Sequence, residues 1–193
     1  MQLITRKGTF DFAHRILHHR RDLDKCCNIH GHTATWELTL SFEANNLSFG
    51  YMIDFGEIKR QFDGFLQKYF DHGWVSNPLD PLLKALCEDN SKIWVLSLNK
   101  DDDCNPSCEN ISKEIIFVAS RLFASYNLQI HELKLYETVN SYVTSNMSSL
   151  SRNEYENLCV SERLQSKLNK WIHEHPIELY DEREIKKEKC NGE

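Results

Sequence analysis

Between His32 and Phe42 the chain reads HTATWELTLSF, in which Thr33, Thr35, Glu37, Thr39 and Ser41 alternate with Ala34, Trp36, Leu38 and Leu40. Successive side chains of an extended backbone point to opposite faces, so this pattern fits a strand with one wet face and one buried face. Sheets that leave one face to water are as a rule antiparallel. Three further segments can join such a sheet: Gln2 to Ala13, which alternates more loosely, the short apolar run Ile93 to Leu98 (IWVLSL), and Ile130 to Val139.

Two helices break up these strands. Asp54 stands three residues before Glu57, and Ile58, Phe62, Phe65, Leu66 and Tyr69 follow at helical spacing, which predicts a capped amphipathic helix over about 54–70. Ser107 caps a second, in which Ile111, Ile115, Val118, Ala119, Leu122, Phe123 and Tyr126 form an apolar stripe with little polar face opposite. Pro78 to Cys87 has room for a helical turn. The order of strands and helices predicts an α+β layer, two helices on one face of a small antiparallel sheet. This core ends near residue 145, giving a domain at 1–145 and a helical extension at 146–193. In the extension Ser151 and Glu154 form a capping box, Leu158, Leu164, Leu168, Trp171 and Ile172 mark a third helix, and a charged tail follows Tyr180.

Composition narrows the function classes. At 193 residues the chain is long enough for one real core, and 40% hydrophobic content with 7 Gly and 4 Pro excludes disordered and low-complexity classes. The formal net charge of −6 gives no general basic field for nucleic acid or an anionic membrane, so neither is expected as a partner. The N-terminal MQLITRKGTFDF lacks a signal-peptide core, and no run of about 18 apolar residues occurs. Seven scattered Cys, an odd number, do not make a disulfide framework, so reduced thiols and a cytoplasmic location are expected.

The sharpest chemical feature is Cys26-Cys27-Asn28-Ile29-His30-Gly31-His32, which runs into the clearest strand. His30 and His32, two apart on extended backbone, project the same way and can share a metal ion. His14, at the end of the first strand, supplies a third imidazole if the two strands pair. Three neutral imidazoles leave a fourth zinc position open, as in catalytic sites, whereas His-x-His alone is also common among surface histidines. A thiol at Cys26, near a dication and Lys25, can serve as a proton acceptor; the alternative is a buried small hydrophobe. Asp71 next to His72 can orient an imidazole if their side chains touch. Glu109 suits the first turn of its helix, Glu137 faces either a ligand or a solvated edge, and His18-His19-Arg20-Arg21 is either a solvated loop or a phosphate clamp.

FDFAHRI, Cys-x3-His-Gly-His-Thr, MIDFGEIK, FDH, NPSCEN and YET occur in an order that resembles the 6-pyruvoyltetrahydropterin and 6-carboxytetrahydropterin synthase family, over about residues 3–142. The resemblance implies the tunnelling fold, a four-stranded antiparallel sheet with two helices whose subunits assemble into a barrel, usually as a hexamer. It implies a zinc-dependent lyase with Zn2+ on His14, His30 and His32. Cys26, Asp71 and His72 would form the proton-transfer machinery, Glu137 would hold the pterin ring and join the relay, and Glu109 would lie near the pterin pocket. The implied substrate is 7,8-dihydroneopterin triphosphate. Its triphosphate needs cations, for which Arg15, Arg20, Arg21 and Lys25 are the local candidates, Arg20 and Arg21 first.

The three residues between Cys26 and the His-Gly-His resemble the bacterial 6-carboxytetrahydropterin synthases of the queuosine pathway, which release acetaldehyde and triphosphate. The alternatives are the sister 6-pyruvoyltetrahydropterin synthase and a zinc- or pterin-binding protein without turnover. Three departures from the family pattern stand out: Gly73-Trp74-Val75 after the Asp-His pair, a longer segment at 78–104, and residues 146–193, which have no recognised counterpart.

Overall fold

The structure is a computed structural model that describes residues 1–17, 25–43, 51–99, 104–126 and 128–176. Strands β1 (Gln2–His14) and β2 (His30–Phe42) pair antiparallel along their whole length, from Gln2 opposite Phe42 to His14 opposite His30. Strand β2 then pairs with β5 (Gln129–Thr138), and β5 with β6 (Ser141–Ser145), both antiparallel. On the other side β3 (Gly73–Ser76) lies parallel to β1 at Phe12 and Ala13, and β4 (Ile93–Val95) lies parallel to β3. The sheet is thus six-stranded and mixed, in the order β4-β3-β1-β2-β5-β6: β1, β2, β5 and β6 are antiparallel, whereas the strand expected at Ile93 joins through β3 in parallel rather than in the antiparallel sheet expected of it.

Three of the four predicted strands are long strands or their ends, but IWVLSL forms a strand over Ile93–Val95 only. The sequence pattern does not mark β3, because all four of its residues are buried and none alternates. It does not mark β6 either, since SYVTS is short and mostly wet.

The helix predicted over 54–70 forms with its Asp54 cap, whose carboxylate accepts from the Gly56 amide. It is composite: α1 (Phe55–Ile58), a π-helical stretch at Lys59–Asp63, and α2 (Gly64–Tyr69). A short α3 (Leu83–Glu88) occupies the predicted turn region. Helix α4 (Cys108–Leu122) starts at the predicted Ser107 cap and is buried along most of its surface, as its thin polar face requires. The third helix is two: α5 (Arg152–Val160), with the Ser151/Glu154 capping box, and α6 (Glu162–Glu174). They part at Ser161, whose backbone is extended and whose hydroxyl accepts from the Leu164 amide. The charged tail after Tyr180 lies outside the described residues. No helix among the described residues is long and apolar enough to cross a membrane.

The core lies between one face of the sheet and these helices. Phe10, Trp36, Leu38, Leu40, Leu133 and Leu135 meet Ile58, Phe62, Phe65, Ile111, Ile115 and Val118. The Trp36 ring lies across Gly8, where a β-carbon would stand 2.3 Å from it, so only glycine fits opposite that tryptophan. Leu158, Leu164, Leu168 and Trp171 of the extension join the same core. Trp171 meets Phe65 edge-on with ring centroids 5.8 Å apart, and Gly64 leaves room for it.

One carboxylate is fully buried in this layer. Glu114 of α4 accepts from the Trp94 indole at 2.9 Å and from the Ser97 amide at 2.8 Å, with Arg163 and Lys167 of α6 acting on it electrostatically. Burial pushes its pKa up to about 7 despite these donors.

Two outcomes follow from this packing. Trp171→Ala should destabilise the chain by about 3–5 kcal/mol in denaturant unfolding, as for other large core truncations; a change near zero would mean that α6 does not belong to the core. A carboxyl whose folded pKa exceeds its unfolded value near 4.5 binds extra protons when folded, so its contribution to stability falls as pH rises from 4.5 to about 7. Unfolding curves at both ends of that window should therefore show a smaller loss for Glu114→Gln than for the wild-type chain.

Candidate metal centre and its cavity

The β1–β2 register places His14 directly opposite His30, with His32 two residues along the same face as His30. One ring nitrogen of each lies within 4.8 Å of those of the other two. Nδ1 of His14 is 2.6 Å from the Pro106 carbonyl and Nδ1 of His30 is 2.8 Å from the Asn28 carbonyl. A carbonyl only accepts, so each Nδ1 carries the proton and each Nε2 of the neutral ring presents a lone pair. These two Nε2 atoms face each other at 3.1 Å, an arrangement that two lone pairs oppose unless a cation lies between them. Nε2 of His32 is buried with no hydrogen-bond partner.

The donor set fits a divalent metal ion. Zinc–nitrogen bonds of roughly 2.0–2.1 Å put tetrahedral ligand atoms roughly 3.3 Å apart, close to the His14–His30 separation, and an orphaned nitrogen completes the three. The carbonyls behind His14 and His30 hold the rings in place, as outer partners of metal-bound imidazoles do. Burial pushes His14 down to about 4, against the Pro106 hydrogen bond and helped by His30 and His32, which keeps it neutral and able to ligate.

Glu137 completes the cluster. Its Oε1 stands 3.6 Å from His14 Nε2 and 3.7 Å from His32 Nε2. The β5–β6 register slips by one residue between Tyr136 and Thr138, so Glu137 is the extra residue of a bulge. Such an irregularity re-aims a side chain out of the strand's regular alternation.

A cavity of about 450 Å³ opens over this centre. His14, His30, His32, Cys26, Glu109 and Glu137 all line it, so six of the residues singled out in the sequence share one space, with Lys25 beside them. The volume suits a small organic ligand. Cys108, Ser141 and Tyr142 also line it and carry no signal of their own in the sequence, although Cys108 stands next to Glu109 in NPSCEN. The Cys108 thiol donates to the Leu135 carbonyl, and burial, with Glu137 and Glu109 nearby, pushes it up to about 12, so it stays protonated.

NPSCEN builds the cavity wall residue by residue. Asn105 bonds the Leu17 backbone through both ends of its amide, at 2.8 and 2.9 Å. Pro106 holds His14, Ser107 caps α4, and Cys108 and Glu109 face the cavity.

Asp71 and His72 do touch, with His72 Nδ1 2.7 Å from Asp71 Oδ2. The other Asp71 oxygen accepts from the Asp11 amide at 2.8 Å, and His72 takes a left-handed backbone (φ 55°) from which its own amide bonds the Asp11 carbonyl. Partial burial raises the Asp71 carboxyl, but the Asp11 amide and the His72 ring together hold it below its ordinary value. Cys26 is not beside them: His72 lines a second groove, of about 640 Å³, with Asp11, Trp74 and Lys92, and only His32 of the imidazole cluster borders both spaces.

Arg15 differs from the expectation of a phosphate ligand. Its guanidinium makes a two-pronged pair with the buried Asp80, at 2.9 and 2.6 Å, which commits its charge inside the chain. Arg20 and Arg21 lie outside the described residues. The six cysteines among the described residues form no disulfide with one another.

Residues 3–147 match the family model described as 6-pyruvoyl tetrahydropterin synthase. A Rickettsia bellii protein named 6-carboxy-5,6,7,8-tetrahydropterin synthase is 33% identical over 142 residues, covering 72% of this chain and 96% of that protein. A Rickettsia conorii protein of the same name is 33% identical over 144 residues, with the same coverage. Among solved structures, an uncharacterised Wolinella succinogenes protein superposes with TM-score 0.60 at 17% identity, covering 76% of this chain and 98% of its own. Plasmodium falciparum 6-pyruvoyl tetrahydropterin synthase superposes with TM-score 0.55 at 19% identity, over 75% of this chain and 96% of its own. The fold is therefore the α+β tunnelling fold, and α5 and α6 lie beyond the residues that match the family.

A metal titration tests the centre. The wild-type chain should bind one zinc ion, and His32→Ala should weaken that affinity by at least about a hundredfold, more than loss of an outer partner costs. Equal affinity in the two would remove His32 from the ligand set.

Proposed function

The chain belongs to the 6-pyruvoyl tetrahydropterin synthase family, and within that family we propose that it is a zinc-dependent 6-carboxy-5,6,7,8-tetrahydropterin synthase. It converts 7,8-dihydroneopterin triphosphate and one water to 6-carboxytetrahydropterin, acetaldehyde and triphosphate, a step toward queuosine, in the cytoplasm. The observation that carries this reading is the convergence of three imidazoles, a re-aimed carboxylate and a thiol on one cavity. The branch rests on the names of the 33%-identical relatives and on the three-residue gap between Cys26 and His30.

Zinc bound to His14, His30 and His32 would supply Lewis acidity toward side-chain oxygens of the substrate. The chain's own residues do the rest. Glu137 accepts hydrogen bonds from the aminopyrimidine edge and fixes the ring's register. Glu109, at the positive end of α4, lines the same pocket. Cys26, as thiolate, takes a proton from the substrate side chain. His72, with Nδ1–H bound to Asp71, keeps Nε2 free on a side chain that is 75% exposed and can return a proton.

His72 lines a groove that Cys26 does not, so in this reading the Asp71–His72 pair acts on a neighbouring copy's cavity within a homo-oligomer, a hexamer by resemblance. The triphosphate falls to Arg20, Arg21 and Lys25. The segment that carries the two arginines leaves the described structure after Leu17 and returns at Lys25, where Ile16 and Cys26 are bonded backbone to backbone at 2.7 Å.

Zinc-loaded protein incubated with 7,8-dihydroneopterin triphosphate should yield a carboxylated tetrahydropterin and acetaldehyde by mass. Cys26→Ala should lower turnover by about 10²–10⁴-fold, the usual weight of a positioned proton acceptor. A product that keeps all three side-chain carbons would move the chain to the pyruvoyl branch, and no turnover with zinc retained would leave a binding protein. Mixing Cys26→Ala with His72→Ala subunits should restore turnover if the pair acts across copies.

A further inference from the structure

Ile93–Leu98 is an uncharged run of Ile, Trp, Val, Leu, Ser and Leu without Pro or Gly. Segments of this kind, when exposed at a sheet edge, pair readily with further strands. Among the described residues β4 is the last strand on its side of the sheet. Its inner edge is spent on β3, through Trp74 N–H to the Lys92 carbonyl at 2.9 Å and Leu96 N–H to the Ser76 carbonyl at 3.0 Å. By alternation the backbone groups of Ile93 and Val95 face away from β3.

Among the described residues no seventh strand lies there. Lys167 of α6 donates to the Ile93 carbonyl at 3.2 Å, and Arg163 donates to the Leu96 carbonyl at 3.1 Å and to the Ser97 hydroxyl at 3.2 Å. Asn157 of α5 donates to the Leu98 carbonyl at 2.9 Å, Ser161 bonds Ser97 hydroxyl to hydroxyl, and the Ser97 amide goes to Glu114. The stem of Lys167 places its ammonium 4.5 Å above the Trp94 ring, covering the side chain as well as the backbone. All of these helical donors lie beyond residue 147, outside the family match.

We propose that Ile93–Leu98 is a latent strand-addition edge which α5 and α6 hold closed, and that its occupant when opened is the same segment of a second copy of this chain. Two such edges related by a two-fold axis are self-complementary, and the run has no charge to oppose the pairing. The edge is distinct from β6, the opposite end of the sheet, and its closure does not depend on the catalytic reading above.

Native-state hydrogen exchange on the wild-type full-length protein gives the first test. The amides of 93–98 should open together with those of 152–174, before β1 and β2; opening with β1 and β2 instead would overturn the proposal. The second test is Arg163→Met with Lys167→Met, which keeps the apolar stems and removes the donors. Exchange at 93–98 should quicken by about tenfold, from the loss of hydrogen bonds of ordinary strength, and sedimentation should detect concentration-dependent species above the wild-type mass. Adding Val95→Pro, which removes an outward N–H without touching the β3 ladder, should return the mass to the wild-type value. Unchanged mass and exchange in the double variant would overturn the proposal, as would extra mass that the proline does not suppress. Should the double variant unfold, the wild-type exchange pattern decides alone.

Discussion

The antiparallel ladder between β1 and β2 fixes the geometry on which the site depends. It brings residues far apart in the chain, His14 and His30, face to face, and it sets His32 beside Phe12 one step further in. Because side chains alternate strictly, a slip of one residue would turn His14 to the other side of the sheet and dissolve the cluster. The ladder is held in register by its other half, where Phe10, Ala34, Trp36, Leu38 and Leu40 are buried and Trp36 fills the space left by Gly8. Hydrophobic packing at one end of the strands thus positions the polar chemistry at the other.

That chemistry is held from outside as well as from within. Two backbone carbonyls choose the tautomers of His14 and His30, and burial keeps His14 neutral, so the lone pairs converge before any ion arrives. The cost of three clustered imidazoles and a nearby carboxylate is borne by the fold. A ready-made ligand set of this kind loses little conformational freedom on binding a metal, and its affinity gains accordingly.

Much of this was legible in the sequence, for identifiable reasons. Alternation in HTATWELTLSF and the two-residue spacing of His30 and His32 report directly on strand geometry, and the Asp54, Ser107 and Ser151 caps mark helix starts through local hydrogen bonds. What stayed hidden is set by tertiary partners. Strand β3 is buried on both faces and so has no period, and IWVLSL stops being a strand at Val95 because, beyond the Leu96 amide that still bonds β3, its partners are side chains of α5, α6 and Glu114. Arg15 reads as an anion ligand until Asp80, 65 residues away, is seen to take it. That His72 and Cys26 line different grooves is likewise visible only in the folded chain.

Helix α4 connects the family's core to the part of the chain that extends it. Its first turn builds the cavity wall, through the Pro106 carbonyl, the Ser107 cap, Cys108 and Glu109. One turn further on, Lys113 pairs with Glu154 of α5 at 2.8 Å and Glu114 reaches the β4 segment that α6 covers. A helix is stiff over this length, so α5 and α6 bear on the same rigid rod that carries the cavity wall. The buried Glu114 is the costly element, since a carboxyl without water needs every donor it has. Trp94 and Ser97 supply them only while the β4 segment keeps its place, and α6 keeps it there. The extension, the edge strand and the cavity wall are therefore linked mechanically, although only the last contains residues assigned to the chemistry.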